Sequence, residues 1–239
     1  MNGLALCSGI GGIELGLAAA IGPSYRTVCH VEREAYCAGV LAARMQDGAL
    51  DTAPIWSDLA SFDARPWRGV VDIVTAGYPC QPFSLAGSRD GAADPRHLWP
   101  HVARIIGECQ PGLVFLENVP GHVSLGLREV CADLREMGYD VAAGIFSAAQ
   151  VGAPHLRKRL FLLAADTNSC GSMHSANIER RGETSTQSAL SSAAQSVADP
   201  HCDRLRALGN AVVPATAALA FMTLSGGANA WNRSTTASA

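Results

Sequence analysis

Short apolar runs alternate along the first 165 residues with segments whose apolar positions recur every three or four residues. Runs of the first kind are typical of buried β-strands, and segments of the second kind are typical of amphipathic helices. Regular alternation of the two predicts an α/β domain with a mostly parallel sheet and helices on both of its faces. Seven strands are predicted, over residues 4–7, 27–31, 54–56, 70–76, 113–116, 139–147 and 160–164, and helices over 13–21, 33–45, 98–109 and 127–137.

The pattern changes after residue 165. Residues 166–203 are rich in Ser, Ala, Thr, Asn and Gln and contain no aromatic residue. Such a segment cannot bury enough apolar surface to offset the entropy of ordering it, so a loose loop or disorder is predicted there. Apolar periodicity returns over 204–224, which predicts one helix that completes the domain formed by residues 1–165, and residues 225–239 are expected to be a polar tail.

The composition fits one globular domain. With 239 residues, of which 48% are hydrophobic, the chain can bury one sizeable core. The net charge of −3 means that any contact with nucleic acid must come from a local group of arginines. No unbroken apolar run of eighteen residues and no secretory leader are found, so we expect a cytoplasmic protein without a membrane span. The eight cysteines form no Cys-x-x-Cys pair, and we expect no metal site.

A glycine-rich turn, Ser8-Gly9-Ile10-Gly11-Gly12, joins the first predicted strand to the first helix. Glycines let the backbone approach a ligand closely, and the helix start offers free N–H groups. Glu32 follows the second strand, where nucleotide-binding folds place a carboxylate for ribose hydroxyls. Asp58 follows the third strand, and a contact with an adenine ring and a simple N-cap are equally open for it.

Cys80 follows the apolar run 70–76 directly and has a proline on each side within two residues, so its thiol is presented rather than packed. Glu117 ends the next strand, and both residues therefore belong to the edge of the sheet where α/β folds bind ligands. Addition of a thiolate to C6 of a cytosine ring would make C5 nucleophilic. That reaction needs an acid at N3 and a cation near O2, and Glu117 with one of Arg157 or Arg159 could supply them.

Five motifs in this order resemble those of the cytosine-C5-specific DNA methyltransferases of bacteria and phages. They are the glycine-rich turn, Pro79-Cys80-Gln81, Glu117-Asn118-Val119, the stretch from Gly152 to Arg159, and Gly209-Asn210-Ala211-Val212-Val213-Pro214. The resemblance implies a Rossmann-like fold dependent on S-adenosyl-L-methionine. It also implies transfer of a methyl group from this cofactor to C5 of a flipped cytosine in double-stranded DNA, through a covalent bond between Cys80 and C6.

The resemblance assigns roles to single residues. The cofactor site is expected to be lined by Ser8, Gly9, Gly11, Glu32, Asp58, Pro79, Leu98 and Asn210. DNA contacts are expected from Gln81, Ser84 and Arg96, the last two at the ends of a loop that closes over DNA. Arg159 is expected to contact O2 of the cytosine, and Arg157 to brace the closed loop or a phosphate. The terminal motif is expected to place the last helix beside the first strand.

The family has a large target-recognition region between the arginine motif and the terminal motif, where this chain has only residues 166–203. Three interpretations follow. The chain is a DNA methyltransferase with minimal specificity of its own, or a truncated homologue that binds the cofactor as a regulatory module or needs a partner chain for DNA recognition. The third is an RNA cytosine methyltransferase, which the Pro-Cys-Gln form does not support. The target sequence stays open, as does a role in restriction, in phage protection or as an orphan enzyme.

Overall fold

The computed structural model describes residues 1–79, 98–167 and 201–235, with the side chains of 203–226 in the last range. Cys80, Gln81, Ser84 and Arg96 lie outside the described residues, and so do residues 168–200 of the loose segment predicted over 166–203, whose ends fall in a strand and a helix. Seven strands are described: β1 Asn2–Leu6, β2 Arg26–Val31, β3 Ile55–Trp56, β4 Ile73–Ala76, β5 Leu113–Asn118, β6 Tyr139–Ser147 and β7 Lys158–Asp166. The helices are α1 Gly12–Ile21, α2 Ala35–Gln46, α3 Trp99–Cys109, α4 His122–Leu125, α5 Leu127–Glu136, α6 His201–Asn210 and α7 Pro214–Thr235.

The strands form one sheet in the order β3-β2-β1-β4-β5-β7-β6. Strands β1 to β5 are parallel, and β7 runs antiparallel to both of its neighbours. The chain order reverses between β1 and β4, which opens a crevice beyond the carboxyl ends of these strands. The expected fold class, a mostly parallel seven-stranded sheet with helices on both faces, is confirmed.

Two apolar layers cover the sheet. On one face, side chains of α3 and α5 such as Ile105 and Leu134 pack on Val74 and Leu116. On the other face, α1 and α7 pack on an aromatic group that includes Phe115. The layers leave the carboxyl edge of β1, β2, β4 and β5 uncovered, and the candidate site lies there.

Helix α7 packs mainly on α1 and also contacts β6 and β7. Two glycines of α1 allow this approach, because a Cβ on Gly12 would stand 2.4 Å from the carbonyl oxygen of Val212 and one on Gly16 would stand 2.6 Å from that of Pro214. The expected position beside the first strand is therefore wrong. Both edges of β1 are taken by β2 and β4, and the helix lies beside α1 on one face of the sheet, against β6 and β7.

Most predicted boundaries lie within two residues of the observed ones, and two elements differ by more. The fourth strand begins at Ile73 rather than at residue 70, since Val70 is 46% exposed in a turn where Gly69 has φ +75°. Two helices take the place of the single one expected over 204–224, because the chain leaves the helical path at 211–213 before Pro214 starts α7. The backbone of α7 continues to Thr235, where a polar tail was expected.

One described stretch, Asp203–Gly226, is long and apolar enough by length and composition to cross a membrane. The structure interrupts it between α6 and α7, and α7 buries Ala217, Ala220, Phe221 and Leu224 in the core. A buried core helix passes the same test, and packing in the core accounts for these four residues of α7. Leu205, Leu208 and Met222 of the stretch are exposed.

Candidate active site

A cavity of about 540 Å³ opens at the carboxyl edge of the sheet, within the size range of small-molecule sites. Its described lining comes from the glycine-rich turn, the ends of β2 and β5, the segment after β4, and helix α6 with the residues that follow it. Of the predicted cofactor residues, the lining includes Ser8, Gly9, Glu32, Asp58, Pro79, Leu98 and Asn210. The structure thus brings together residues that lie more than 200 positions apart in the chain.

The glycine-rich turn is held by the end of β2. The backbone N–H of Ser8 donates to the carbonyl oxygen of Val31 at 3.3 Å, and the N–H of Gly9 donates to Oε2 of Glu32 at 2.6 Å. Oε1 of Glu32 accepts from the N–H of Glu34 at 2.7 Å, and burial raises the pKa of this carboxyl group. A carboxylate has about four acceptor positions, so Glu32 keeps acceptors for ribose hydroxyls.

Two polar side chains that the sequence did not suggest support the turn from below. The Ser8 hydroxyl donates to the carbonyl oxygen of Ala5 at 3.0 Å, so its single hydrogen is used. His30 Nδ1, 3.1 Å from the same hydroxyl oxygen, must therefore be the donor in that pair. Burial lowers the pKa of His30 to about 4, which keeps the ring neutral. Arg44 of α2 donates to the carbonyl oxygen of Ile10.

Gly11 was predicted to line the cofactor site, but it is not among the described residues that line the cavity. It precedes α1 with φ +82°, and a Cβ there would stand 2.8 Å from Cδ1 of Leu50. The neighbouring Gly12 lines the cavity in its place. Gly11 therefore shapes the turn, because its left-handed backbone and close packing both favour the absence of a side chain.

Asp58 lines the cavity and also caps a turn. Its carboxylate accepts from the N–H groups of Ala60 and Ser61, each at 3.1 Å. The Ser61 side chain, together with these two N–H groups, lowers the pKa of Asp58. Residues 59–61 form a turn and not a helix, so Asp58 is not a helix N-cap, and its carboxylate keeps free acceptor positions at the cavity.

Helices α2 and α6 supply lining residues that sequence reasoning missed: Tyr36, Cys37, Asp203, Arg206 and Ala207. Cys7 also lines the cavity, with φ +49° and a pKa raised to about 12 by burial, so its thiol stays protonated. The α6 residues carried no signal in the sequence, since their place depends on a contact between distant parts of the chain.

A buried glutamate that lines the cavity forms an ion pair with an arginine. Glu117, 7% exposed at the end of β5, has Oε1 at 2.9 Å from Nε of Arg159 on β7. Burial raises the pKa of Glu117 to about 7, although Arg159 and Arg157 act in the opposite direction. The carboxyl group can therefore hold a proton near neutral pH while a cation lies beside it.

The segment after β4 is fixed to the end of β5. A Cβ on Gly77 would stand 3.4 Å from Oε2 of Glu117, and Nδ2 of Asn118 donates to the carbonyl oxygen of Tyr78 at 3.2 Å. The buried Tyr78 ring packs against neighbouring aromatic side chains. The segment thus carries Pro79 into the cavity lining, and the predicted nucleophile is the next residue in the chain.

The two arginines of the motif have different partners. Arg159 contacts the acid, whereas Nη2 of Arg157 donates to the carbonyl oxygens of Gly209, at 2.7 Å, and Ala211. Within the described ranges, no group of three or more His, Cys, Asp or Glu side chains is placed to hold a metal ion.

The described lining fits the nucleoside part of S-adenosyl-L-methionine. Glu32 offers acceptors for the ribose hydroxyls, and Gly9, with φ +53°, leaves open space where a Cβ would stand, with no heavy atom within 4 Å. A site in which a nucleotide lies close to the protein backbone requires these features.

Comparison with known proteins places the chain among methyltransferases. The family model for C-5 cytosine-specific DNA methylases matches residues 1–206. The type II methyltransferase M.AluI of Cellulosimicrobium cellulans is 36% identical over 171 residues, which are 66% of this chain and 32% of that protein. M.AquIA of Picosynechococcus sp. is 30% identical over 176 residues, 67% of this chain and 70% of that protein.

A solved structure, that of Spodoptera frugiperda DNMT2, shares the fold with a TM-score of 0.60 at 22% identity, over 76% of this chain and 53% of that one. This chain spans about a third of the length of the M.AluI relative. The extent of the family match, joined to the glycine-rich turn and the acid–arginine pair, shows that the chain belongs to the C-5 cytosine-specific DNA methylase family.

Proposed function

We propose that this chain transfers a methyl group from S-adenosyl-L-methionine to C5 of a cytosine in double-stranded DNA, with Cys80 as the nucleophile. The observation that carries the proposal is the Glu117–Arg159 pair, a buried acid with a pKa of about 7 and a cation 2.9 Å away. Glu117 lines the cavity that the glycine-rich turn also lines, and Arg159 lies beside it. Acid, cation and cofactor site are thus on one edge of the sheet.

The reaction begins when the Cys80 thiolate forms a bond to C6 and the electrons of the C5–C6 double bond move to C5. When bound, S-adenosyl-L-methionine would supply an electrophilic methyl group: C5 forms the bond to this methyl as the methyl–sulfonium bond breaks, and S-adenosyl-L-homocysteine is the leaving group. The hydrogen at C5 then leaves as a proton to a base, the C5–C6 double bond forms again, and the thiolate is eliminated. Pro79 restricts the backbone beside the thiol and lines the cavity.

Glu117 and Arg159 stabilise the charge that this addition creates. A protonated Glu117 donates to N3, and the ring then accepts electron density without a full negative charge. Arg159, which is paired with Glu117, compensates the carboxylate that forms, and in this proposal it also contacts O2 of the cytosine. The buried position of the pair strengthens both interactions, because little water screens them.

We further propose that sequence-specific recognition needs a partner chain. In this protein only residues 167–200 separate β7 from α6, and the matched relatives are mostly longer proteins. Base flipping requires contacts that hold the opened duplex, and phosphate contacts require several cations. The reaction would take place in the cytoplasm of a bacterium or of a phage-infected cell, where its DNA is found.

A methyl-transfer assay with labelled cofactor tests the proposal. Mixed-sequence duplex DNA and tRNA are compared as substrates for the wild type, Cys80→Ala and a control, Cys131→Ala, whose side chain is half-buried on α5. We expect label in duplex DNA with the wild type and the control, and none with Cys80→Ala.

If the wild type transfers no more label than Cys80→Ala at high enzyme concentration, the chain alone is not a methyltransferase. Preferential labelling of tRNA would contradict the assignment of DNA as the substrate. Calorimetric titration with S-adenosyl-L-methionine then shows whether the chain is a cofactor-binding module.

A further inference from the structure

Arg157 lies in the turn that precedes β7 and has φ +31°, a backbone region that residues other than glycine rarely adopt. Conformations of this kind persist when surrounding contacts hold them. The contacts here are the two hydrogen bonds from Nη2 to the carbonyl oxygens of Gly209 and Ala211. The side chain thus connects the start of β7 to a segment more than fifty residues further along the chain.

The carbonyl groups that Arg157 binds belong to the end of α6 and the residue after it. The last carbonyl groups of a helix have no donor within the helix, and a cation is favourable there. The same segment, Asn210, Ala211 and Val212, lines the cofactor cavity. Arg157 therefore holds one wall of that cavity by its backbone.

The other described contacts of this wall are apolar, since Ala211 packs against a small cluster that includes Ala207 and Val212 packs against the layer that includes Phe115. Among the described side chains of α6, Ala207 is the buried one, and it packs with Ile10 and Cys37 in a small cluster. Beyond the helix, the carbonyl oxygen of Val212 lies directly over Gly12 of α1. The wall is thus fixed at one end by the close approach to Gly12 and at the other by Arg157.

We propose that Arg157 is a positioning residue that holds residues 209–212 as a wall of the S-adenosyl-L-methionine cavity and so acts on cofactor affinity. This assignment rests on the proposed cofactor-binding function and differs from the expected role in bracing a loop or a phosphate. Arg159 lies two residues later at the start of β7, so one short segment sets both the cofactor wall and the partner of the catalytic acid.

Calorimetric titration of the full chain with S-adenosyl-L-methionine, without DNA, tests the proposal. We expect Arg157→Ala to bind the cofactor about 10- to 100-fold more weakly, because two hydrogen bonds to a cation are lost. Arg157→Lys keeps a cation and should recover part of the affinity. The control Lys158→Ala removes a neighbouring exposed cation and should stay within about two-fold of the wild type. A loss below five-fold in Arg157→Ala overturns the proposal.

A second pair of variants moves the wall from its other end. Gly12→Ala pushes against the carbonyl oxygen of Val212 and should also weaken cofactor binding, whereas Gly39→Ala, at an exposed helical position with open space, should not. In the cofactor-free chain, amide hydrogen exchange over 205–214 should be faster in Arg157→Ala than in the wild type, with β1 and β5 unchanged.

Equal exchange rates over 205–214 in the wild type and in Arg157→Ala would overturn the proposed role of Arg157, and this measurement does not depend on cofactor binding. A wild type that binds no cofactor would by itself contradict only the proposed function. If Arg157→Ala does not fold, the exchange measurement on Arg157→Lys decides the question in the same way.

Discussion

Two buried carboxyl groups lie on the same face of the sheet. One lies between the sheet and helix α1, and the other lies at the carboxyl edge of the sheet. Glu14 of α1 is 1% exposed and Glu117 of β5 is 7% exposed, and burial raises the pKa of each to about 7. Oε1 of Glu14 accepts from the Thr75 hydroxyl at 2.8 Å, while its Oε2 has no hydrogen-bond partner among the described residues. Glu117 pairs with Arg159 and lines the cavity, whereas Glu14 is not among the described residues that line it.

The comparison shows that a raised pKa alone does not identify a catalytic acid. Desolvation raises the pKa of both carboxyl groups in the same way, but Glu14 has no contact with the cavity in which its proton could be used. What distinguishes Glu117 is access to the cavity together with a cation that stabilises the carboxylate after it has lost its proton. The following variants test this distinction.

The largest expected effect is that of Glu117→Gln. The rate of methyl transfer should fall about 10²- to 10⁴-fold, because the amide cannot transfer a proton to N3. Cofactor affinity should change little. In the wild type the protonated fraction of Glu117 falls as pH rises through about 7, so the single-turnover rate should decline above that pH. A variant that retains a tenth of the wild-type rate would contradict the role of the acid.

Arg159→Gln should reduce the rate about 10- to 100-fold through loss of the cation near O2. Arg159 lowers the pKa of Glu117, so its removal should move the decline of the rate upward by about 1–2 pH units. The pH dependence of the single-turnover rate provides the measurement. An unchanged or lower midpoint would show that the ion pair does not control the protonation of Glu117.

Glu14→Gln should leave the rate unchanged and stabilise the protein at high pH. The folded-state pKa of about 7 lies above the unfolded value, so the wild type loses stability as pH rises from about 4.5 to 7. The loss amounts to roughly 3 kcal/mol, which glutamine avoids. Urea unfolding at pH 5 and pH 8 measures the difference, which should appear mainly at pH 8.

The exposed Glu136→Gln serves as the control for that experiment and should change the free energy of unfolding by less than about 0.5 kcal/mol at both pH values. A Glu14→Gln protein that is equally stable relative to the wild type at pH 5 and pH 8 would show that Glu14 is not protonated in the folded state.

The smallest effect is expected from Thr75→Val, which removes the hydroxyl donor to Glu14 at nearly constant volume. The free energy of unfolding should fall by about 1–2 kcal/mol. Because the Thr75 hydroxyl lowers the pKa of Glu14, the loss should be larger at pH 8 than at pH 5. The same urea measurements test this prediction. An equal loss of free energy of unfolding at both pH values would show that the Thr75 hydroxyl does not affect the pKa of Glu14.

Much of the sheet could be predicted from local pattern. Strand β6 runs from Tyr139 to Ser147 as expected, because its residues form an uninterrupted pairing with β7. The fourth strand was predicted three residues too long, since the apolar Val70 lies in an exposed turn. The glycine-rich turn and Glu32 were also found, because strand, turn and carboxylate follow each other within a short stretch of chain.

Contacts between distant parts of the chain could not be predicted in this way. Glu14, His30 and Arg44 are polar residues within helices or strands, and nothing in their neighbourhood indicates that Glu14 and His30 are buried or that Arg44 reaches the glycine-rich turn. The partners of Arg157 depend on where α6 ends, and the segment after α6 is placed by the glycines of α1 that let it approach.

Trapping the covalent adduct tests the role of Cys80 most directly. Duplex DNA that contains 5-fluorocytosine is incubated with the chain and S-adenosyl-L-methionine, and the linked residue is identified by mass spectrometry. Fluorine cannot leave C5 as a proton does, so the Cys80–C6 bond should persist in the wild type and be absent in Cys80→Ala. A wild-type chain that forms no adduct, or one linked through another residue, would contradict the proposed mechanism.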